Sequence, residues 1–237
     1  VYKRQRVYNY YTLPTAPTRT GYTFDGWYTS SSGGTKVTSS TLMTKKYSHT
    51  LYAHWTAHSY KISYNLDGGS KNGSYWPTTA TYGTAFNVSN PTRTGYSFRG
   101  WTATGINTST AKYGSTKSSA TNSWTSGTTL VYYSSYMGFN NLTPTNNGTV
   151  TLKANWEANG YTLTANANGG SIPSTSGWTG TGTTSTKTVK YDSTYGTLPT
   201  PTRTGYTFNN WWTSPSGGSR VYTTTKMNST SGATIYA

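Results

Sequence analysis

The chain contains no cysteine, so neither a disulfide framework nor a thiolate metal site is open to it. It is almost as poor in acids. Asp25, Asp67, Glu157 and Asp192 stand against 19 lysines and arginines. Enzyme chemistry needs positioned acids, bases or nucleophiles, and four scattered carboxylates with three histidines supply little of it. No apolar run approaches the roughly 18 residues of a membrane-crossing helix. The N-terminus is polar and basic, so no signal peptide is present in this stretch. Leu, Ile, Val and Phe total only 26 of 237 residues. Below about 20% with a high net charge, such a composition indicates disorder. Two features oppose that reading. Charged residues make up only 10%, and 23 Tyr and 9 Trp are present. Each such ring can bury about 150–250 Å².

Those rings, with abundant threonine and with glycine at apparent turns, point to strands. The expected class is mainly β (small α+β). The net charge of +15 suggests anionic partners: nucleic acid, cell-wall polyanions or lipid headgroups. The competing reading is a scatter of cations that keeps a threonine-rich surface soluble. No motif indicates specific nucleic-acid binding, and the chain reads as a monomer without cofactors.

The most informative feature is repetition. Pro-Thr-Arg-Thr-Gly-Tyr occurs at 17–22, 91–96 and 201–206. Each copy leads into a longer phrase: GYTFDGW from Gly21, GYSFRGW from Gly95 and GYTFNNW from Gly205. Such self-similarity marks a tandem array, whose units contact mainly their neighbours. Tyr60–Leu66 alternates apolar and polar residues, as a half-buried strand does. Asp67-Gly68-Gly69 then marks a turn. Tyr161–Ala167 and Asn168-Gly169-Gly170 repeat the pattern. Tyr82–Val88 reads as another strand. Three modules follow: 1–55, truncated at its start; 56–156; and 157–237, truncated at its end, two residues before the expected tryptophan. Val1–Gln5 match nothing in the other copies and read as non-native. The linkers 56–59 and 157–160 are short. An insertion lies around 104–147, and a smaller one falls within Ser174–Thr186. Insertions of this kind normally map to loops.

The phrases YTLTANANGG (161–170), Tyr195-Gly-Thr-Leu-Pro199, PTRTGYTF (201–208) and GWYTSSSGGTKV (26–37) keep one order wherever a copy carries them. Together they resemble the Listeria–Bacteroides repeat family, which includes the B repeat of internalin B. The resemblance covers nearly the whole chain except Val1–Gln5 and the insertions. In the second copy Thr104-Gly-Ile-Asn-Thr108 replaces the Ser-Gly-Gly-Thr-Lys segment at 32–36. The resemblance implies tandem β-grasp-like modules in an elongated array, on the cell surface or in the cell wall of a bacterium, serving as a stalk or adhesion segment.

Individual residues add little chemistry. Asp67 and Asp192 sit in apparent turns and Glu157 in a linker. Arg99 and Asn209 stand where Asp25 does, which argues against a shared catalytic role. His54 and His58 are four apart but lack a carboxylate motif, and no metal is expected at His49, His54 or His58. The Gly pairs 33–34, 68–69, 169–170 and 217–218 lack the Gly-Lys-Ser/Thr of a phosphate loop. Tyr132, Tyr133, Tyr136 and Phe139, in the larger insertion, are candidates for stacking on bases or sugars, with the insertion's own core as the competing role. The expected core of the second copy is Tyr96, Phe98, Trp101 and Trp156, with Trp124 outside it.

Overall fold

The computed structural model describes residues 9–237 apart from 46, 126 and 131–134. Val1–Gln5, Tyr132 and Tyr133 lie outside the described residues. The described chain is strand and turn, with no α-helix and a single 3-10 turn at Lys117–Ser119. The mainly β class therefore holds, and the small helical component does not. The segments between the strands are rich in Gly, Ser, Thr and Asn, which favour turns over helix.

The first copy forms β1 (Tyr22–Tyr28), β2 (Lys36–Val37) and β3 (Tyr52–Ala57), an antiparallel sheet of order β2-β1-β3. The second contributes β4 (Ser59–Asn65), β5 (Thr79–Thr81), β6 (Phe86–Ser89) and β7 (Tyr96–Thr104). Its insertion adds β8 (Lys112–Gly114), β9 (Asn122–Ser123) and β10 (Tyr136–Asn140), before the closing β11 (Thr149–Ala158). The third contains β12 (Gly160–Asn166), β13 (Thr184–Lys190), β14 (Trp211–Ser214), β15 (Gly217–Val221) and β16 (Ala233–Tyr236).

The sheets share one plan. Orders β5-β4-β11-β7 and β13-β12-β16-β14-β15 each place the opening and closing strands side by side. Both of those central pairs, β4 with β11 and β12 with β16, run parallel. This is the β-grasp-like sheet that the repeat resemblance implies. Tyr64 faces Leu152 across one central pair and Ala165 faces Ile235 across the other. Ala237 thus occupies the place of Ala154.

Two compact units divide the chain. One comprises residues 1–65, 73–90 and 101–153, and the other 66–72, 91–100 and 154–237. In the first, Trp101 is fully buried and meets Tyr64 and Trp76 at ring separations of 6.0 and 6.2 Å. In the second, Leu163, Ile172, Val189, Trp211, Met227 and Ile235 form the centre of the core.

Several expectations change. The 82–88 run is not one strand: β5 pairs with β4 and β6 with β10, with a turn at Tyr82–Ala85 between them. The larger insertion is no loop: its β8, β9 and β10 join β6 in a sheet of order β6-β10-β8-β9. Trp124 is buried there, 5.5 Å from the Phe139 ring, so it belongs to a core. Phe98 and Trp101 are buried as expected, whereas Tyr96 and Trp156 are half-buried. The linkers shrink to single residues, His58 and Asn159, and Glu157 lies on β11.

Candidate functional site

The repeated hexapeptide builds the same turn three times. The Tyr22, Tyr96 and Tyr206 amides donate to the carbonyls of Arg19, Arg93 and Arg203 at 3.0, 3.1 and 3.1 Å. The intervening Gly21, Gly95 and Gly205 hold φ of +77°, +77° and +79°. A positive φ at the third turn position is what a type II turn demands, and glycine meets it without a side-chain clash. The turn folds each arginine back over its own tyrosine, 3.8, 3.9 and 4.1 Å from the ring centroids. Cation–π pairs of this kind contribute about 0.5–1 kcal/mol at exposed sites. Arg93 and Arg203 also donate through Nη1 to the Asp67 and Asn168 carbonyls, at 2.7 and 3.0 Å. These contacts fix where the two guanidiniums lie, although Arg203 itself stays exposed.

Two of the turns carry the start of the next copy. His58 N–H donates to the Gly21 carbonyl at 2.8 Å, and Asn159 N–H to the Gly95 carbonyl at 2.9 Å. The carbonyls of the same two residues accept from Tyr82 N–H and Tyr191 N–H, each at 2.8 Å. The Tyr82 ring then meets Tyr22 edge-on at 5.8 Å, and Tyr191 meets Tyr96 at 5.7 Å. A Cβ at Gly21 would fall 2.3 Å from the Tyr82 ring, and one at Gly95 2.2 Å from Tyr191, so each ring lies against bare glycine backbone. Glu157 sits beside the second junction, paired with Arg99 and, at 3.7 Å, with Lys190. The Arg99 contact holds its carboxyl below the usual range. At the third turn, nothing lies within 4 Å of a Cβ built on Gly205, and Tyr206 is 66% exposed.

A pocket of about 330 Å³ in the third copy is lined by Ala167, Asn168, Phe208, Trp212, Pro215 and Ala237. The matching place in the second copy is filled by Trp156, which donates to the Leu66 carbonyl at 2.9 Å and packs on Phe98. A groove on the insertion side is lined by Tyr75, Trp76, Pro77, Phe86, Asn87 and Lys117.

Of the stacking candidates, Tyr136 is half-buried and edge-on to Tyr75 at 5.4 Å. Phe139 is fully buried between Phe86 and Trp124, a core residue with no surface to offer a ligand. The histidines have structural partners. His49 meets the Tyr11 hydroxyl at 2.6 Å, His54 stacks on Tyr28 and bonds the Ser30 carbonyl, and His58 bonds Thr23 and the Pro144 carbonyl. Asp25 accepts from Thr56, and Asp192 pairs with Lys226 at 2.9 Å. Sequence reasoning used the hexapeptide as a repeat marker and missed its role as a joint. The available signal was that Arg, Gly and Tyr recur at fixed spacing although no core requires an arginine there.

Comparison with known proteins agrees with this geometry. The family model described as the Listeria-Bacteroides repeat domain matches residues 6–54, 60–137 and 161–237. Internalin H of Listeria monocytogenes is 39% identical over 89 residues, 37% of this chain and 15% of that protein. The chain thus aligns with only a small part of that relative's length. No solved structure matches the chain.

Proposed function

Because the chain belongs to the Listeria-Bacteroides repeat family, we propose that it is a non-catalytic repeat array of a bacterial surface protein, acting as an extracellular spacer or adhesion segment. The observation that carries this reading is the joint built twice from the repeat's own residues, with a one-residue connection hydrogen-bonded through both its N–H and its C=O. Such a connection restrains the angle between successive copies, as a spacer requires. The likeness to internalin H supports a cell-surface or wall location. Small-angle scattering of the chain tests the spacer. An extended particle is the expected result, and a compact globule overturns it.

A second reading is a module that binds glycans or anionic wall polymers. The groove of Tyr75, Trp76 and Lys117 favours it, because the exposed Tyr75 ring lies there beside a cation. A glycan array and a teichoic-acid pull-down at physiological salt separate the two. Binding above a neutral control that falls on Tyr75→Ala supports the groove, and no binding removes it.

A further inference from the structure

We propose that the groove holding Tyr75, Asn87 and Lys117 is a subsite for an acidic sugar, a pyranose whose carboxylate is held by Asn87 and Lys117 while its ring lies on Tyr75. The proposal rests on the second reading above, that the chain binds glycans or anionic polymers, and it names the ligand class and the place.

The fold sets the walls of the groove. β6 is an edge strand, paired with β10. Tyr75 is tied to it twice. Tyr75 N–H donates to the Ser89 hydroxyl at 2.9 Å, and Ser89 N–H donates to the Tyr75 carbonyl at 2.8 Å. The Tyr75 ring stands edge-on to Tyr136 and remains 47% exposed. Lys117 enters from the 3-10 turn, which Thr116 and Ser119 close by reciprocal hydrogen bonds. That turn lies over Gly138, where a Cβ would strike the Thr116 carbonyl. Asn87, on β6, joins the two parts, because its Oδ1 accepts from the Lys117 backbone N–H at 2.7 Å. Only the oxygen of an amide side chain can accept, so this bond settles its orientation. Nδ2 is left over. Among the described residues, neither Nδ2 nor the Lys117 ammonium has a partner. No carboxylate is among the lining residues.

These groups specify what fits. An amide NH2 and an ammonium donate and cannot accept. A carboxylate offers two oxygens to two such donors, and charge-assisted bonds of this kind are the strong ones. The Tyr75 ring adds a face of negative quadrupole, which the C–H bonds of a pyranose complement. A glycerol-phosphate polymer brings the anion without the ring. A neutral sugar brings the ring without the anion. The volume of about 480 Å³ falls in the usual range of ligand sites, about 300–1,000 Å³. Lys117 belongs to the larger insertion, which the second copy alone carries, so the chain holds one such subsite.

Titration calorimetry of the 237-residue chain with trigalacturonate tests this, at about 150 mM salt to screen diffuse attraction. One site per chain is the expected result. The methyl ester of trigalacturonate keeps the rings and loses the charge, and it should bind about tenfold more weakly or worse. Asn87→Asp keeps the acceptor for the Lys117 N–H but turns the donor into a repelling carboxylate, and should weaken binding by about as much. Lys117→Gln should do the same, and because Lys117 is exposed its loss reads the groove rather than the fold. Tyr75→Ala should also weaken binding. Arg220→Gln removes one charge from the third copy and should leave affinity unchanged. Equal losses for Arg220→Gln and Lys117→Gln, or several ligands bound per chain, would reveal diffuse attraction to a surface of net charge +15 and overturn the subsite. If the methyl ester or poly(glycerol phosphate) binds as tightly as trigalacturonate and Tyr75→Ala weakens it, the acidic-sugar assignment falls while the broader binding reading stands. Binding of none of the three probes overturns both.

Discussion

Gly95 is where one atom decides most. A methyl group there would fall 2.2 Å from the Tyr191 ring, on a backbone with φ of +77°. Gly205 has the same φ and open space. Gly205→Ala should therefore cost only the left-handed backbone penalty, about 1–2 kcal/mol. Gly95→Ala should add an overpacking cost of about 1–3 kcal/mol. Chemical denaturation of both variants measures the difference, and equal losses would show that the ring does not rest on the glycine. Tyr60 gives a second residue-scale prediction. Burial pushes its hydroxyl up to about 12 from an ordinary 10.0. A raised folded value means the stabilisation is complete below the unfolded pKa and is lost as pH rises through the folded one. Stability should thus fall between about pH 10 and 12. Tyr60→Phe should flatten that decline and lower stability at neutral pH by about 1–3 kcal/mol, because the Leu142 N–H loses its acceptor.

Among the elements, the alternation of Tyr60 and Ile62 with Lys61 and Ser63 was legible because a strand's period is two and one face of β4 meets a core. The glycine turns were legible because Asp67-Gly68 and Asn168-Gly169 both hold positive φ. The strands of the insertion were not. Lys112–Gly114 and Asn122–Ser123 are too short and polar to show a period, and they become strands only because β8 pairs with β10 and β9 with β8. Trp124 escaped for the same reason: its burial comes from Phe139 and the sheet, not from its neighbours in sequence. Its truncation should therefore be as damaging as that of Trp101. Each change to Ala should cost about 3–5 kcal/mol, with midpoints in denaturant shifting together. A much smaller effect for Trp124→Ala would mean that the insertion's sheet contributes little to stability.

For the whole molecule, the net charge of +15 is opposed by few carboxylates, and the ion pairs of Glu157 and Asp192 are solvent-exposed. Exposed pairs contribute only about 0–1 kcal/mol, whereas like-charge repulsion acts across the whole surface. Screening should weaken the repulsion more than the pairs. The melting temperature should accordingly rise between about 10 mM and 150 mM salt, where the Debye length falls from about 30 to 8 Å. A fall would show that the ion pairs dominate. The role of the hexapeptide belongs to this scale too. It was unreadable in a single repeat, because the tyrosine that completes each joint comes from the following copy.

The single connecting residues have a consequence for survival outside a cell. A protease must draw several residues of substrate into an extended conformation, and the usual entry points are the slack segments between domains. At His58 and Asn159 the strands close to within one residue on either side, and both backbone groups are already bonded. Slack lies elsewhere, in exposed glycine and serine turns such as Ser30–Gly34 and Ser174–Gly177. Limited digestion with a broad-specificity protease should cut those turns first and leave the boundaries between copies intact. An early cut at residues 57–59 or 158–160 would contradict this. A surface protein built this way would lose decoration from its flanks long before it was severed.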